Sequence, residues 1–218
     1  MNDPERLRFS ALSALGWLDH GFIGRVPGVD VDASRETVVE RLAPRHAAAL
    51  AETALGGRPL LRAEQVHGAT VATVDARTPA IPVPGTDGLL TADPAICLGI
   101  YVADCCAVFL ADPTHRAVGL IHAGRKGTEL GIFPAAIREM QRRFGTHPAS
   151  LIVQLSPCIR PPHYEVDFAA DLRAQAAACG VLAVEDCGLC TGSDVGRWYS
   201  YRIERGRTGR MLAVIGVC

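Results

Sequence analysis

Apolar residues in this chain gather in short runs between turns rich in glycine and proline, with three longer stretches at helical spacing. The runs predict strands over 60–66, 70–74, 96–102, 107–110, 117–121, 151–155, 182–184 and 211–217. Several are unbroken Val, Ile and Leu runs without polar alternation, the pattern of strands covered on both faces. Ser34 is placed to cap a helix running to about residue 55, where Gly56-Gly57 stops it and Pro44 marks a break or kink. Leu130, Phe133, Ile137 and Met140 recur at close to helical spacing within 128–144, ahead of Gly145. Asp167 caps a third, alanine-rich helix that reaches Cys179 and stops at Gly180. Proline clusters mark surface loops at 78–87 and 156–164. Strands interleaved with helices, with no repeat or linker, predict one layered α/β (or α+β) domain spanning 1–218.

Composition narrows this picture. A chain of 218 residues, 49% of them hydrophobic, is long enough for a sizeable single core. Its 22 basic and 23 acidic residues balance to a formal charge of -1, which argues against a broad nucleic-acid or anionic-membrane surface and leaves room for a small basic pocket. The opening Met1-Asn-Asp-Pro-Glu-Arg6 is charged and is not followed by an apolar run, so a secretory signal is not expected. Nor is a membrane span, and the expected location is cytoplasmic. In that setting the 8 cysteines do not suggest a disulfide framework. Cys97, Cys179 and Cys218 read as buried thiols. Cys187-Gly-Leu-Cys190 lacks a second pair to complete a metal set and reads as structural.

Three residues beside predicted strand ends have unusual neighbours. His67 lies in Gln65-Val-His-Gly68, Cys105 in Ala103-Asp-Cys-Cys106, and His122 opens His122-Ala-Gly-Arg-Lys-Gly127 ahead of a helix. As zinc ligands they form a three-donor set that leaves a fourth position for water or substrate. As covalent chemistry, Cys105 is a nucleophile with a histidine base. An unrelated turn histidine, buried thiol and surface histidine would give the same pattern, because no local zinc-finger spacing links the three. Alternation along a strand allows only one of Cys105 and Cys106 to face the site, and Cys106 leads into the apolar run. Asp104 is placed to orient a ligand from behind. The turn at 122–127, with Arg125 and Lys126 at a helix start, suits an anion such as phosphate, although it is not a P-loop.

Together these segments resemble a known family. Gln65-Val-His-Gly, Asp87-Gly-Leu-Leu-Thr, Ala103-Asp-Cys, His122-Ala-Gly-x-Lys-Gly, Pro157-Cys-Ile with His163-Tyr-Glu-Val, and Tyr199-Ser-Tyr-Arg with Thr208-Gly-Arg-Met are similar, in order, to the laccase-domain family, also called multicopper polyphenol oxidase or YfiH-like. His20-Gly-Phe-Ile-Gly-Arg25 is similar to its N-terminal signature. The resemblance implies a layered sandwich of mixed sheets flanked by helices, with zinc held by His67, Cys105 and His122. It also implies purine nucleoside phosphorolysis of adenosine, inosine, guanosine or methylthioadenosine, with adenosine deamination in some members and peptidoglycan-precursor editing in bacterial ones. Small-molecule nucleoside and phosphate are then the partners, with Arg125, Lys126 and Arg25 expected to hold phosphate. Gln65, Asp104 and Glu165 are expected in supporting polar roles. Copper oxidase chemistry needs clustered histidines, and the chain has no His-x-His pair. The chain departs from the family where Arg125-Lys126 replaces a usual Trp-Arg, and where Ser156 and Arg160 replace usual glycines.

Overall fold

A computed structural model describes residues 4–218. The apolar runs form most of its strands: β1 (Arg6–Leu7), β2 (Leu18–Ile23), β3 (Leu60–Arg62), β4 (Val71–Thr73), β5 (Gly88–Thr91), β6 (Cys97–Val102), β7 (Cys106–Asp112), β8 (Ala117–Ala123), β9 (Ile152–Leu155), β10 (Ala183–Asp186) and β11 (Met211–Val217). The helices are α1 (Ser10–Ser13), α2 (Arg35–Ala51), α3 (Arg125–Glu129), α4 (Ile132–Phe144) and α5 (Phe168–Ala178). Two mixed sheets result, one ordered β1-β2-β11-β6-β3 and the other β10-β9-β7-β8-β5-β4.

Burial on both faces explains the unbroken apolar runs. Along β7, Phe109 points between the sheets with Leu98, Ile100 and Leu120, while Val108 and Leu110 point outward to Phe133, Met140 and Leu172 of α4 and α5. On the far side, Ile23, Leu212 and Val214 pack against Leu50 of α2. The order of layers is therefore helix, sheet, sheet, helices. Each fully buried Val, Leu, Ile or Phe contributes about 1.5–3 kcal/mol relative to exposure. All 7 residues of β7 and all 7 of β8 are buried, which makes this hairpin the rigid frame of the molecule.

Several elements differ from expectation for identifiable reasons. Gly131 adopts a left-handed φ of 76°, so the helix predicted over 128–144 splits into α3 and α4 and leaves Leu130 exposed. Helix α2 runs through Pro44 without a break, because the carbonyl Pro44 leaves unpaired belongs to the exposed Glu40. Left-handed backbone at Gln65 and His67 ends β3 early. Strands β2 and β5 are not predicted because polar Asp19 and His20 interrupt the pattern of β2, and β5 offers only two apolar side chains, Leu89 and Leu90. Cys97 is buried, whereas Cys179 is half-buried and Cys218 is exposed at the chain end, and all 8 cysteines are free. Among the described residues, no helix is long and apolar enough to cross a membrane.

Candidate metal centre

The site forms where the chain crosses from one sheet to the other, in the turn between β6 and β7. Cys105 sits in that turn, preceded by Asp104 at φ 82°. His122 is the next-to-last residue of β8, and His67 lies in the loop between β3 and β4. Two buried side chains hold that loop. Gln65 docks on the backbone of Tyr101, its Nε2 donating to the carbonyl at 2.5 Å and its Oε1 accepting from the N–H at 2.9 Å. Asp87, fully buried just before β5, accepts from the backbone N–H groups of Val66 (3.2 Å), His67 (2.9 Å) and Gly68 (2.7 Å). These bonds hold Gln65 at φ 65° and His67 at φ 61°, a conformation non-glycine residues rarely adopt.

The same carboxylate reaches His122, whose Nδ1 lies 2.9 Å from Asp87 Oδ1. With Nδ1 occupied by that bond, Nε2 is the ring nitrogen left to serve as a metal donor. The His67 and His122 rings meet edge to face, 4.8 Å apart. Donor atoms of His67, Cys105 and His122 all lie within 4.8 Å of one another. Gly124 completes the packing, since a Cβ there would stand 2.5 Å from the Cys105 sulfur.

Electrostatics within the triad favour charged forms. Burial alone would raise the Cys105 thiol, but the imidazoles of His122 and His67 outweigh it and bring it down to about 6. Burial alone would lower His122, yet the Cys105 sulfur and then Asp87 lift it to about 9. The donor set suits a divalent transition metal: two imidazoles and a thiolate, with one imidazole oriented by a carboxylate. It stands graded in exposure, with His122 buried, Cys105 half-buried and His67 open to a cavity of about 900 Å³. Three ligands facing a cavity leave room for a further ligand, unlike a closed structural site.

Other sequence-predicted residues fall in varied places. Arg125 and Lys126 line the cavity, but α3 has only 5 residues and Arg125 is paired with Glu129 at 2.9 Å and Glu165 at 3.6 Å. Asp104 also lines it, yet its carboxylate accepts from the Thr191 hydroxyl (2.7 Å) and the Arg202 N–H (2.7 Å) and so anchors loops rather than ligands. Glu165 bridges Arg125 and Arg202 at the rim. Arg25 lies outside the cavity lining, bound to Glu204 at 2.6 Å and stacked over Tyr199. Ser156 is buried behind Cys106, where its hydroxyl accepts from Ala107 N–H at 2.9 Å, and Arg160 pairs with Asp186 at 2.5 Å. Cys190 pairs through its backbone with Cys158. Sequence reasoning gave Asp87 no role, although it opens the family-like segment Asp87-Gly-Leu-Leu-Thr. It also missed Arg35, Tyr101, Tyr164, Phe168 and Arg210, all on the cavity wall.

Comparison with known proteins identifies the family and agrees with the fold. A family model described as multi-copper polyphenol oxidoreductase laccase matches residues 28–175 and 166–218. Purine nucleoside phosphorylase SCO2081 of Streptomyces coelicolor is 36% identical over 188 residues, covering 85% of this chain and 71% of that one. Purine nucleoside phosphorylase YlmD of Geobacillus stearothermophilus is 33% identical over 194 residues, covering 70% of each chain. The crystal structure of that YlmD superposes with a TM-score of 0.82 at 28% identity, covering 100% of this chain and 97% of the other. A Bacillus licheniformis protein, YfiH, shares the fold with a TM-score of 0.81 at 24% identity, covering 100% and 98%.

Proposed function

This chain belongs to the multi-copper polyphenol oxidoreductase laccase family, and on that premise we propose that it is a zinc-dependent purine nucleoside phosphorylase. The observation that carries the reading is the convergence of His67, Cys105 and His122 at the wall of a cavity of about 900 Å³. Adenosine, inosine, guanosine and methylthioadenosine are the proposed substrates, and adenosine deamination is a proposed side activity. Relatives named as purine nucleoside phosphorylases support the choice. A zinc ion held by His67, Cys105 and His122 would supply a fixed positive charge beside the reacting oxygens.

The chain's own residues do the rest. Tyr164 and Tyr201, half-buried and exposed respectively, put aromatic surface on the cavity wall against which a purine can stack. Cationic side chains on the same wall receive phosphate and hold one of its oxygens toward C1′. A bond forms from that oxygen to C1′ as the C1′–N bond breaks, and its electron pair leaves with the purine. The departing base takes its proton from solvent at the cavity mouth, because Asp104 and Glu165 are committed as acceptors to Thr191, Arg202 and Arg125. Asp87 holds His122 in one tautomer throughout.

A second reading has one observation in its favour. Cys105 lies close to two imidazoles, as a thiol nucleophile with a histidine base does, and the second reading is an amide hydrolase acting on peptidoglycan precursors. Elemental analysis of purified protein, with an adenosine assay run with and without phosphate, separates the two. Phosphorolysis predicts about one zinc per chain, ribose 1-phosphate as product and no turnover without phosphate. Turnover that ignores phosphate defeats the proposal.

A further inference from the structure

The cavity carries more positive charge than its carboxylates neutralise. Arg35, Arg125, Lys126, Arg202, Arg205 and Arg210 line it, against Asp104 and Glu129. Charge pairing divides these cations. Arg125 is paired with Glu129 and Glu165, and Arg202 with Glu165 at 2.5 Å. Lys126 and Arg205 stand exposed at the rim.

Arg35 and Arg210 differ from the rest. Both are half-buried, and among the described residues neither has a carboxylate within salt-bridge distance. Each is held by backbone carbonyls. Arg35 donates to Glu64 O (3.2 Å) and Gln65 O (3.5 Å), and Arg210 to Gly209 O (2.8 Å) and Thr208 O (3.1 Å). Carbonyls orient a guanidinium without cancelling its charge, and a guanidinium has five N–H donors, so several stay free on each. Burial, and then the neighbouring Arg35, hold the Arg210 guanidinium below its ordinary value, while the Cys105 sulfur and Asp104 act the other way. Both arginines line the same cavity as the triad cysteine, and their like charges oppose one another there.

Arg35 is moreover the first residue of α2, a 17-residue helix whose positive dipole end disfavours a cation, with Glu36 beside it as a partial counterweight. Two like charges drawn together out of water cost stability unless an anion joins them.

The geometry points to Arg35 and Arg210 as the oxyanion subsite of this cavity, where a phosphate group binds. A tetrahedral dianion matches two forked guanidiniums, each able to donate two parallel hydrogen bonds. The identification of the anion as phosphate rests on the phosphorolysis reading, whereas the site itself rests on the unpaired arginines. Inorganic phosphate and the phosphoryl group of a nucleoside monophosphate present the same chemistry.

Titration calorimetry of the metal-loaded full chain tests the assignment, with inorganic phosphate in one arm and adenosine 5′-monophosphate in the other. Arg35→Met and Arg210→Met are each expected to weaken phosphate binding about tenfold or more, and Lys126→Met less than about threefold. In turnover assays both arginine variants raise the KM for phosphate and leave the KM for nucleoside nearly unchanged. Arg210→Lys, which keeps the charge and loses the fork, is expected to fold with an unchanged melting temperature and weaken binding partway. Loss confined to the monophosphate arm keeps the subsite and makes its anion the substrate's own phosphoryl group. Binding of both ligands unchanged in both methionine variants overturns the assignment. So does an unsubstituted protein that binds neither ligand, or phosphate binding lost only in Lys126→Met. Phosphate binding with no phosphorolysis would defeat the enzymatic reading and spare the subsite. Phosphorolysis indifferent to both arginines would do the reverse.

Discussion

Two buried carboxylates in this molecule hold a histidine in nearly the same way, at opposite ends of the β7–β8 hairpin. Asp87 binds His122 Nδ1 at 2.9 Å and three backbone N–H groups of the His67 loop. Asp112 binds His115 Nδ1 at 2.8 Å, the Thr146 hydroxyl at 2.6 Å and the backbone N–H groups of Thr114 and His115. Both carboxylates are fully buried. Their surroundings separate them. The His115 side chain is 39% exposed at a turn, while that of His122 is 5% exposed and meets Cys105 and His67 beside the cavity. Of five non-glycine residues with positive φ among those described, Gln65, His67, Asp104 and Arg205 line that cavity, and only Arg116 belongs to the other end. An aspartate–histidine pair is thus a device for fixing a turn. It becomes a centre where a third donor, an open cavity and strained backbone converge on it.

Removing a donor tests this contrast most severely. His122→Ala and Cys105→Ser are each expected to lose the bound metal, by elemental analysis, and to lower turnover by more than about 100-fold, beyond the usual effect of an outer partner. His115→Ala should leave both unchanged, and equal losses at the two histidines would erase the distinction.

Exchanging the carboxylates comes next. Asp87→Ala should lower metal affinity or activity roughly 10–100-fold. Asp112→Ala should instead destabilise the fold by about 1–3 kcal/mol in denaturant titration, with kcat intact, because it orphans buried donors.

Gly124→Ala should act more gently, since its new methyl group must displace the Cys105 sulfur. A metal-affinity loss of about tenfold is expected, with a melting temperature close to that of the unsubstituted protein. If affinity is unaffected, the cysteine is not held as described.

Acid sensitivity is the smallest effect. Burial would raise the Asp112 carboxyl, but Thr146 and His115 outweigh it and hold it below its ordinary value. Its stabilising contribution is therefore complete above the ordinary carboxylate range and fades as pH falls through the lowered value. Asp112→Asn should flatten the acid limb of a stability–pH curve. A limb that is unchanged would show that Asp112 does not contribute to it.

Much of the fold was legible because its signals are local. Ser34 and Asp167 cap α2 and α5 through their own side chains, accepting from Thr37 and Ala170. Gly145 ends α4 at φ 73°, and the apolar runs at 97–102 and 211–217 became β6 and β11. His67, Cys105 and His122 stood out as polar residues at strand ends. Arg35 did not, being an ordinary charged residue in its own neighbourhood, while Asp87 and Arg210 lay within family-like motifs that did not say what they hold.

Residue order alone thus determined most of the strands, where α2 and α5 begin and where α4 stops, and which three side chains carry donor chemistry. Only the tertiary structure decided that Asp87 serves two histidine-bearing segments at once, that Arg125 is spent on Glu129 and Glu165, and that Arg35 and Arg210, 175 positions apart in the chain, line one cavity. Capping and periodic burial act within a few residues, whereas charge pairing and left-handed backbone at Gln65 and His67 depend on partners that distant segments bring together.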